Sequence, residues 1–179
     1  FWESDGFVYA GTLGFTNGAD TATYRWKLMN GGAKLAVAGT GISSIAQVYT
    51  PSSGLTSDPV LEIYPGATLE LSTGFNNWNS SYKFYGDVQG SGTLRVAGGA
   101  THYLCKNKAE AHAFTGTYQP YPGVLSLGAS ASAPMGVNAA SSFDVAGAGW
   151  AYLYANTTIA GLTGIGADGG LQYPDGATL

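Results

Sequence analysis

A short phrase recurs along this chain and limits its fold more than any other feature: glycine with a small residue, then alternating apolar positions. It stands at Gly31-Gly32-Ala33-Lys34-Leu35-Ala36-Val37 and at Pro65-Gly66-Ala67-Thr68-Leu69-Glu70-Leu71. It returns at Gly90-Ser91-Gly92-Thr93-Leu94-Arg95-Val96 and at Pro122-Gly123-Val124-Leu125-Ser126-Leu127. A further copy begins at Pro174-Asp175-Gly176-Ala177-Thr178-Leu179. A turn feeding a short strand, returning at intervals of roughly 25 to 35 residues, is the sequence form of a solenoid.

Strand periodicity dominates the rest of the text. Val60-Leu61-Glu62-Ile63-Tyr64, Phe143-Asp144-Val145 and Ala151-Tyr152-Leu153-Tyr154 alternate apolar and polar residues, as the phrases do. Alternation buries one face of a strand and leaves the other wet. Leu69, Leu71, Leu94, Val96, Leu125 and Leu127 are the predicted inner set. Helical periodicity is nearly absent; the best stretch, Lys106 to His112, lacks an apolar face and reads as a loop.

Two architectures use such strands. An antiparallel sandwich joins them by tight hairpins, for which Asn17-Gly18 is the clearest signal. A parallel β-helix places equivalent strands one coil apart and uses Gly-Ala, Gly-Ser and Pro-Gly corners. The long repeat favours the second, because one coil cannot bury its apolar edge alone and stacking makes a continuous core. The expected fold is therefore all-β, a right-handed parallel β-helix (β-solenoid) that reads as a fragment of a longer array. Roughly six or seven coils at about 4.8 Å each would make a rod on the order of 30 Å. Residues 1–58 are less regular and read as decorated, cap-like first coils. Residues 59–179 read as repetitive coils of the same solenoid, and Pro51-Ser52-Ser53-Gly54 as an exposed turn rather than a linker.

Composition narrows the function. Charged residues are only 10 % of the chain while aromatics are 13 %, which opposes disorder. The formal net charge of -4 and the absence of a basic run exclude nucleic acid as an expected partner. No apolar run approaches the length of a membrane-spanning helix, so no direct membrane insertion is expected of this segment. Cys105 is the one cysteine, so no internal disulfide supports the fold.

The second half carries a family resemblance. Phe114-Thr115-Gly116-Thr117-Tyr118, then Gly123-Val124-Leu125-Ser126-Leu127-Gly128, then Ile159-Ala160-Gly161-Leu162-Thr163-Gly164-Ile165-Gly166 follow one another as opening, centre and close of a unit. Tyr85 to Leu94 supplies the close of a preceding one. This order resembles the autotransporter-associated β-strand repeat, also called the passenger-associated transport repeat. The usual Asn of the opening is missing at Ala113. The resemblance implies a right-handed parallel β-helix exported to the bacterial surface.

Candidate chemistry is sparse. Glu62 and Glu70 lie on consecutive strand phrases and could approach as a glycosidase pair, although solvated surface charge is the better reading. No Asp-x-Asp cluster suits calcium, and no metal or cofactor is expected. His102, Cys105 and His112 fall short of the four ligands of a structural zinc site and read as a buried thiol beside two loop histidines. One stretch, Gly74 to Tyr82, breaks the strand pattern and is dense in amides and aromatics. There Asn76, Asn77, Trp78, Asn79 and Tyr82 could contact a glycan, the rings stacking on sugars and the amides bonding hydroxyls; the plainer reading folds Trp78 back over the coil. Trp26 and Trp150 are expected in the core or at a cap.

The expected function is a non-catalytic structural and adhesive segment of a surface-exposed or secreted passenger protein. Its partners would be a glycan or cell-surface receptor and the neighbouring coils of the same longer chain. The alternatives are a carbohydrate-binding or carbohydrate-processing β-helix and an antiparallel sandwich binding module.

Overall fold

The computed structural model describes residues 4–51, 55, 57–72, 83–98, 101–105, 111–130, 133–164 and 169–173. They form strands throughout and no helix. In chain order these are β1 (Ser4–Val8), β2 (Gly11–Thr16), β3 (Asp20–Leu28), β4 (Ala33–Ala38), β5 (Ile42–Tyr49) and β6 (Val60–Ile63). Then come β7 (Thr68–Leu71), β8 (Lys83–Tyr85), β9 (Asp87–Gly90), β10 (Thr93–Val96), β11 (Thr101–Cys105) and β12 (Thr117–Pro120). The last are β13 (Val124–Ser130), β14 (Ala133–Pro134), β15 (Ser142–Asp144), β16 (Trp150–Leu153), β17 (Gly161–Thr163) and β18 (Gly170–Gln172).

Three sheets result. The first has eight strands in the order β1-β3-β5-β7-β10-β12-β15-β17. The second runs β18-β16-β13-β11-β8, and the third β2-β4-β6-β9. Among the described residues every pairing is parallel except the short β13–β14 contact. The fold is a parallel β-solenoid, and the antiparallel sandwich is ruled out. Asn17-Gly18 does supply two left-handed residues (φ 55° and 80°), but at a corner between strands of different sheets rather than in a hairpin.

Only two of the recurring phrases, 65–71 and 90–96, are equivalent positions in register. Residues 31–37 feed β4 in the third sheet, 65–71 and 90–96 feed β7 and β10 in the first, and 122–127 feed β13 in the second. The structural repeat is the register offset, which equals the phrase interval only between 65 and 90 and is shorter than the other intervals. Ser4 pairs with Tyr24, Thr68 with Thr93, and Ser142 with Gly161, offsets of 20, 25 and 19 residues.

Alternation is obeyed in the core. In the first sheet Leu69, Leu94, Tyr118 and Phe143 stand in register and are fully buried. Leu35, Leu61 and Val88 line the third sheet, and Leu104, Leu127 and Leu153 the second. Each such leucine stabilises the stack by about 2 kcal/mol through burial. Trp26 faces inward, and its ring lies where a Cβ on Gly6 would stand, 2.2 Å from that position. At the corner into the first sheet the backbones themselves touch. A Cβ on Gly116 would lie 2.0 Å from the carbonyl oxygen of Gly92, so only glycine fits there.

The solenoid changes its cross-section partway along. The third sheet ends at β9, and the second begins at β8, so both are present in one coil. Side-chain and backbone bonds outside the ladders complete both ends. The Val88 amide, which has no further strand of this sheet beside it among the described residues, donates to Nδ1 of His112 at 3.1 Å. The Ala113 amide donates to Asp87 Oδ1 at 3.2 Å. On the second sheet the Tyr85 amide donates to Thr50 Oγ1 at 2.8 Å, and the Thr50 amide to the Lys83 carbonyl at 3.1 Å. These bonds satisfy edge groups that would otherwise be open to further pairing. The described strands β1–β5 belong to the same stack as the later ones, since β4 pairs with β6 and β5 with β7. Ser52, Ser53 and Gly54 lie outside the described residues.

Candidate binding face

The residues that the sequence marks for glycan contact, Asn76, Asn77, Trp78, Asn79 and Tyr82, lie outside the described residues. The other candidates have definite places.

Glu62 and Glu70 do not form a pair. Glu62 sits on β6 of the third sheet, where Lys34 Nζ donates to its Oε2 at 2.9 Å. That bond holds the Glu62 carboxyl below the usual range and the Lys34 ammonium above it. Glu70 sits on β7 of the first sheet, between Arg95 at 3.2 Å and the Ser44 hydroxyl at 3.1 Å. Asp5 pairs with Arg25 at 2.7 Å, and Gln119 donates to Asp144 at 2.9 Å. Every one of these contacts joins a strand to its neighbour in the same sheet. The outer carboxylates are braces between coils.

His102, Cys105 and His112 are all buried but do not converge. His102 is on β11 and points inward beneath Leu125, and burial holds its imidazole down at about 4. Cys105 is on the opposite face of the same strand, beside Tyr85, and burial pushes its thiol up to about 11. His112 lies at the end of the third sheet, with Nδ1 3.3 Å from Asp87. Because Nδ1 accepts the Val88 amide, the ring proton is assigned to Nε2. Among the described residues no three His, Cys, Asp or Glu side chains are grouped as metal ligands.

The outer face of the second sheet has a different character. Period-2 alternation sends Leu104, Leu127 and Leu153 inward and their neighbours outward. The central outward row is therefore Lys83, Tyr103, Ser126, Tyr152 and Gln172, in register across five strands. Beside it stand Thr101, Val124, Trp150 and Gly170, again in register. Tyr103 and Tyr152 are half-buried, and Ser126 between them is fully buried, so the surface is closed above it. The Ser126 hydroxyl donates to the Gly128 carbonyl at 2.9 Å. Lys83 Nζ stands 5.6 Å from the Tyr103 ring centre, within cation–π range. Burial raises the Tyr103 phenol above its ordinary value, with Tyr154, Cys105 and Tyr152 adding to the shift. These groups are thus close neighbours on one surface.

Trp150 is not a core residue. It faces outward, and its ring leans over Gly170, where a Cβ would lie 3.4 Å from the ring edge. The indole thus reaches over the next strand at ordinary contact distance.

Sequence reasoning missed this face. Tyr103 and Tyr152 are 49 residues apart, and each sits in a strand of its own with no local motif. The usable signal was the outward parity of Tyr152 beside inward Leu153, repeated by Tyr103 beside Leu104. No protein-family model, no curated protein and no solved structure matches this chain.

Proposed function

We propose that this chain is a non-catalytic structural and adhesive segment of a bacterial surface-exposed or secreted protein of the autotransporter passenger type. The reading rests on one observation above others: four ionic and amide contacts of the outer faces tie coil to coil. Asp5–Arg25, Lys34–Glu62, Glu70–Arg95 and Gln119–Asp144 each link adjacent strands of a sheet. Together with the aliphatic column, they favour a stiff, straight stack whose product is length and exposed surface. A rod of this kind holds an adhesive face or a distal domain away from the cell. The unit resemblance in residues 109–179 supports the same setting.

The test is cellular. A tagged full-length protein carrying this segment is expected in the outer-membrane or culture fraction, with the segment cleaved by protease added to intact cells. Retention inside the cell, protected from that protease, would overturn the reading. Release of reducing or unsaturated sugar products from polysaccharides by the purified chain would replace it with an enzymatic one.

A further inference from the structure

We infer that the outer face of the second sheet, centred on Tyr103, Tyr152 and Trp150, binds a neutral linear glycan laid across the strands. The inference deepens the adhesive part of the reading above and rests on it for its biological setting.

Spacing is the first argument. Tyr103 and Tyr152 occupy one outward row, two strands apart, with Ser126 between them. Two strand spacings are about 10 Å, close to the length of a disaccharide unit in an extended β-linked chain. Alternate sugars of such a chain would meet the two rings, and the sugar between them would pass over the closed surface above the buried Ser126. The flat C–H face of a pyranose is apolar and suits a partly exposed tyrosine or indole face, while the phenol hydroxyls stay free to bond the sugar rim. Trp150, stretched over Gly170, extends the platform to the adjoining row.

Charge is the second argument. The chain carries a formal net charge of -4, yet the two outward rows hold no carboxylate among the described residues. Among those residues Lys83 is the one charged group, and it stands over the Tyr103 ring. A face without fixed negative charge, rimmed by Thr101, Gln172 and an ammonium donor, complements hydroxyl-rich neutral polymer. A polyphosphate would need a basic surface that the chain lacks. The first sheet makes the contrast, because its outward row alternates charges that already bind one another.

Purified chain is run in affinity gels containing hydroxyethylcellulose, mixed-linkage glucan or glycol chitin, and titrated with cellohexaose and chitohexaose by calorimetry. Retardation by at least one neutral polymer is expected. The Tyr103→Ala/Tyr152→Ala pair is expected to weaken binding by about tenfold or more, the equivalent of losing at least one stacked ring. Tyr103→Phe/Tyr152→Phe should keep most of it, and Tyr64→Ala, exposed elsewhere, should change nothing. Circular dichroism of each variant confirms that the fold is retained. Failure to bind every neutral polymer, capture by heparin alone, or binding undiminished in the Tyr103→Ala/Tyr152→Ala pair would overturn the inference. None of these outcomes bears on where the protein resides in the cell, so the two readings fail separately.

Discussion

Replacing Tyr118 by phenylalanine should stabilise the protein, although it removes a polar group from a tyrosine fixed in the middle of the stack. The Tyr118 ring is fully buried, 4.8 Å from Phe114 and 5.2 Å from Phe143 between centroids. Its hydroxyl is also buried and has no hydrogen-bond partner. Burial, reinforced by the negative charge of Asp87, drives its ionisation far above the ordinary phenol value, so the group stays neutral at any working pH. An unpaired buried hydroxyl costs about 1–3 kcal/mol in lost hydration. Removing the oxygen gives up only a few tenths of a kcal/mol of dispersion. The net gain is therefore about 1–2 kcal/mol. With a urea m-value of about 2 kcal/mol/M, the midpoint rises by about 0.5–1 M. The melting temperature rises by about 2–4 °C for each kcal/mol at this chain length. Unfolding is followed by far-ultraviolet dichroism and by tryptophan fluorescence, whose coincidence tests whether a single transition is being compared. An unchanged or lowered midpoint would mean that the hydroxyl is bonded in the folded protein, and the reasoning would fail.

Acid should weaken the fold through His102. Its imidazole is neutral in the core with a value of about 4, against an ordinary 6.5. The unfolded chain thus takes up a proton first as pH falls. The contribution is complete above about pH 7.5 and lost progressively between 6.5 and 4, reaching about 3 kcal/mol. Urea midpoints at pH 7.5, 5.5 and 4.5 should fall in that order, and His102→Gln should flatten the trend. At the corners, Gly116→Ala drives a methyl against the Gly92 carbonyl and should cost about 3 kcal/mol or more, whereas Gly14→Ala meets nothing within 4 Å and should stay within about 0.5 kcal/mol; thermal melts of both compare them directly. Glu70→Gln removes the ionic brace to Arg95 and should cost less than about 1 kcal/mol, with the difference from the parent shrinking in high salt.

The architecture was legible in the sequence because two of its causes are local. Strand alternation at Leu69–Leu71 and Leu94–Val96 names the inner face directly, and glycine marks the corners. The register was not legible. The recurring phrase reports a glycine-led strand wherever one occurs, so it fell on three different sheets and overstated the period wherever consecutive copies changed sheet. Side chains that replace missing strands, such as His112 against Val88, leave no trace in a periodicity. The aromatic face is harder still. Tyr103, Ser126 and Tyr152 become neighbours only when three successive coils are stacked in register. Glu62 and Glu70, adjacent in the text, are separated because consecutive phrases turn onto different sheets.

The handover between the third and second sheets has a mechanical consequence. Beside Thr50, Asp87 and His112, among the described residues only the first sheet continues unbroken from the early strands to the late ones. Elsewhere in that cross-section, continuity is entrusted to a few side-chain and backbone bonds outside the strand ladders and to the buried column. Stretching or melting the rod should therefore start a crack at this level, dividing it into two sub-stacks that come apart in sequence rather than together.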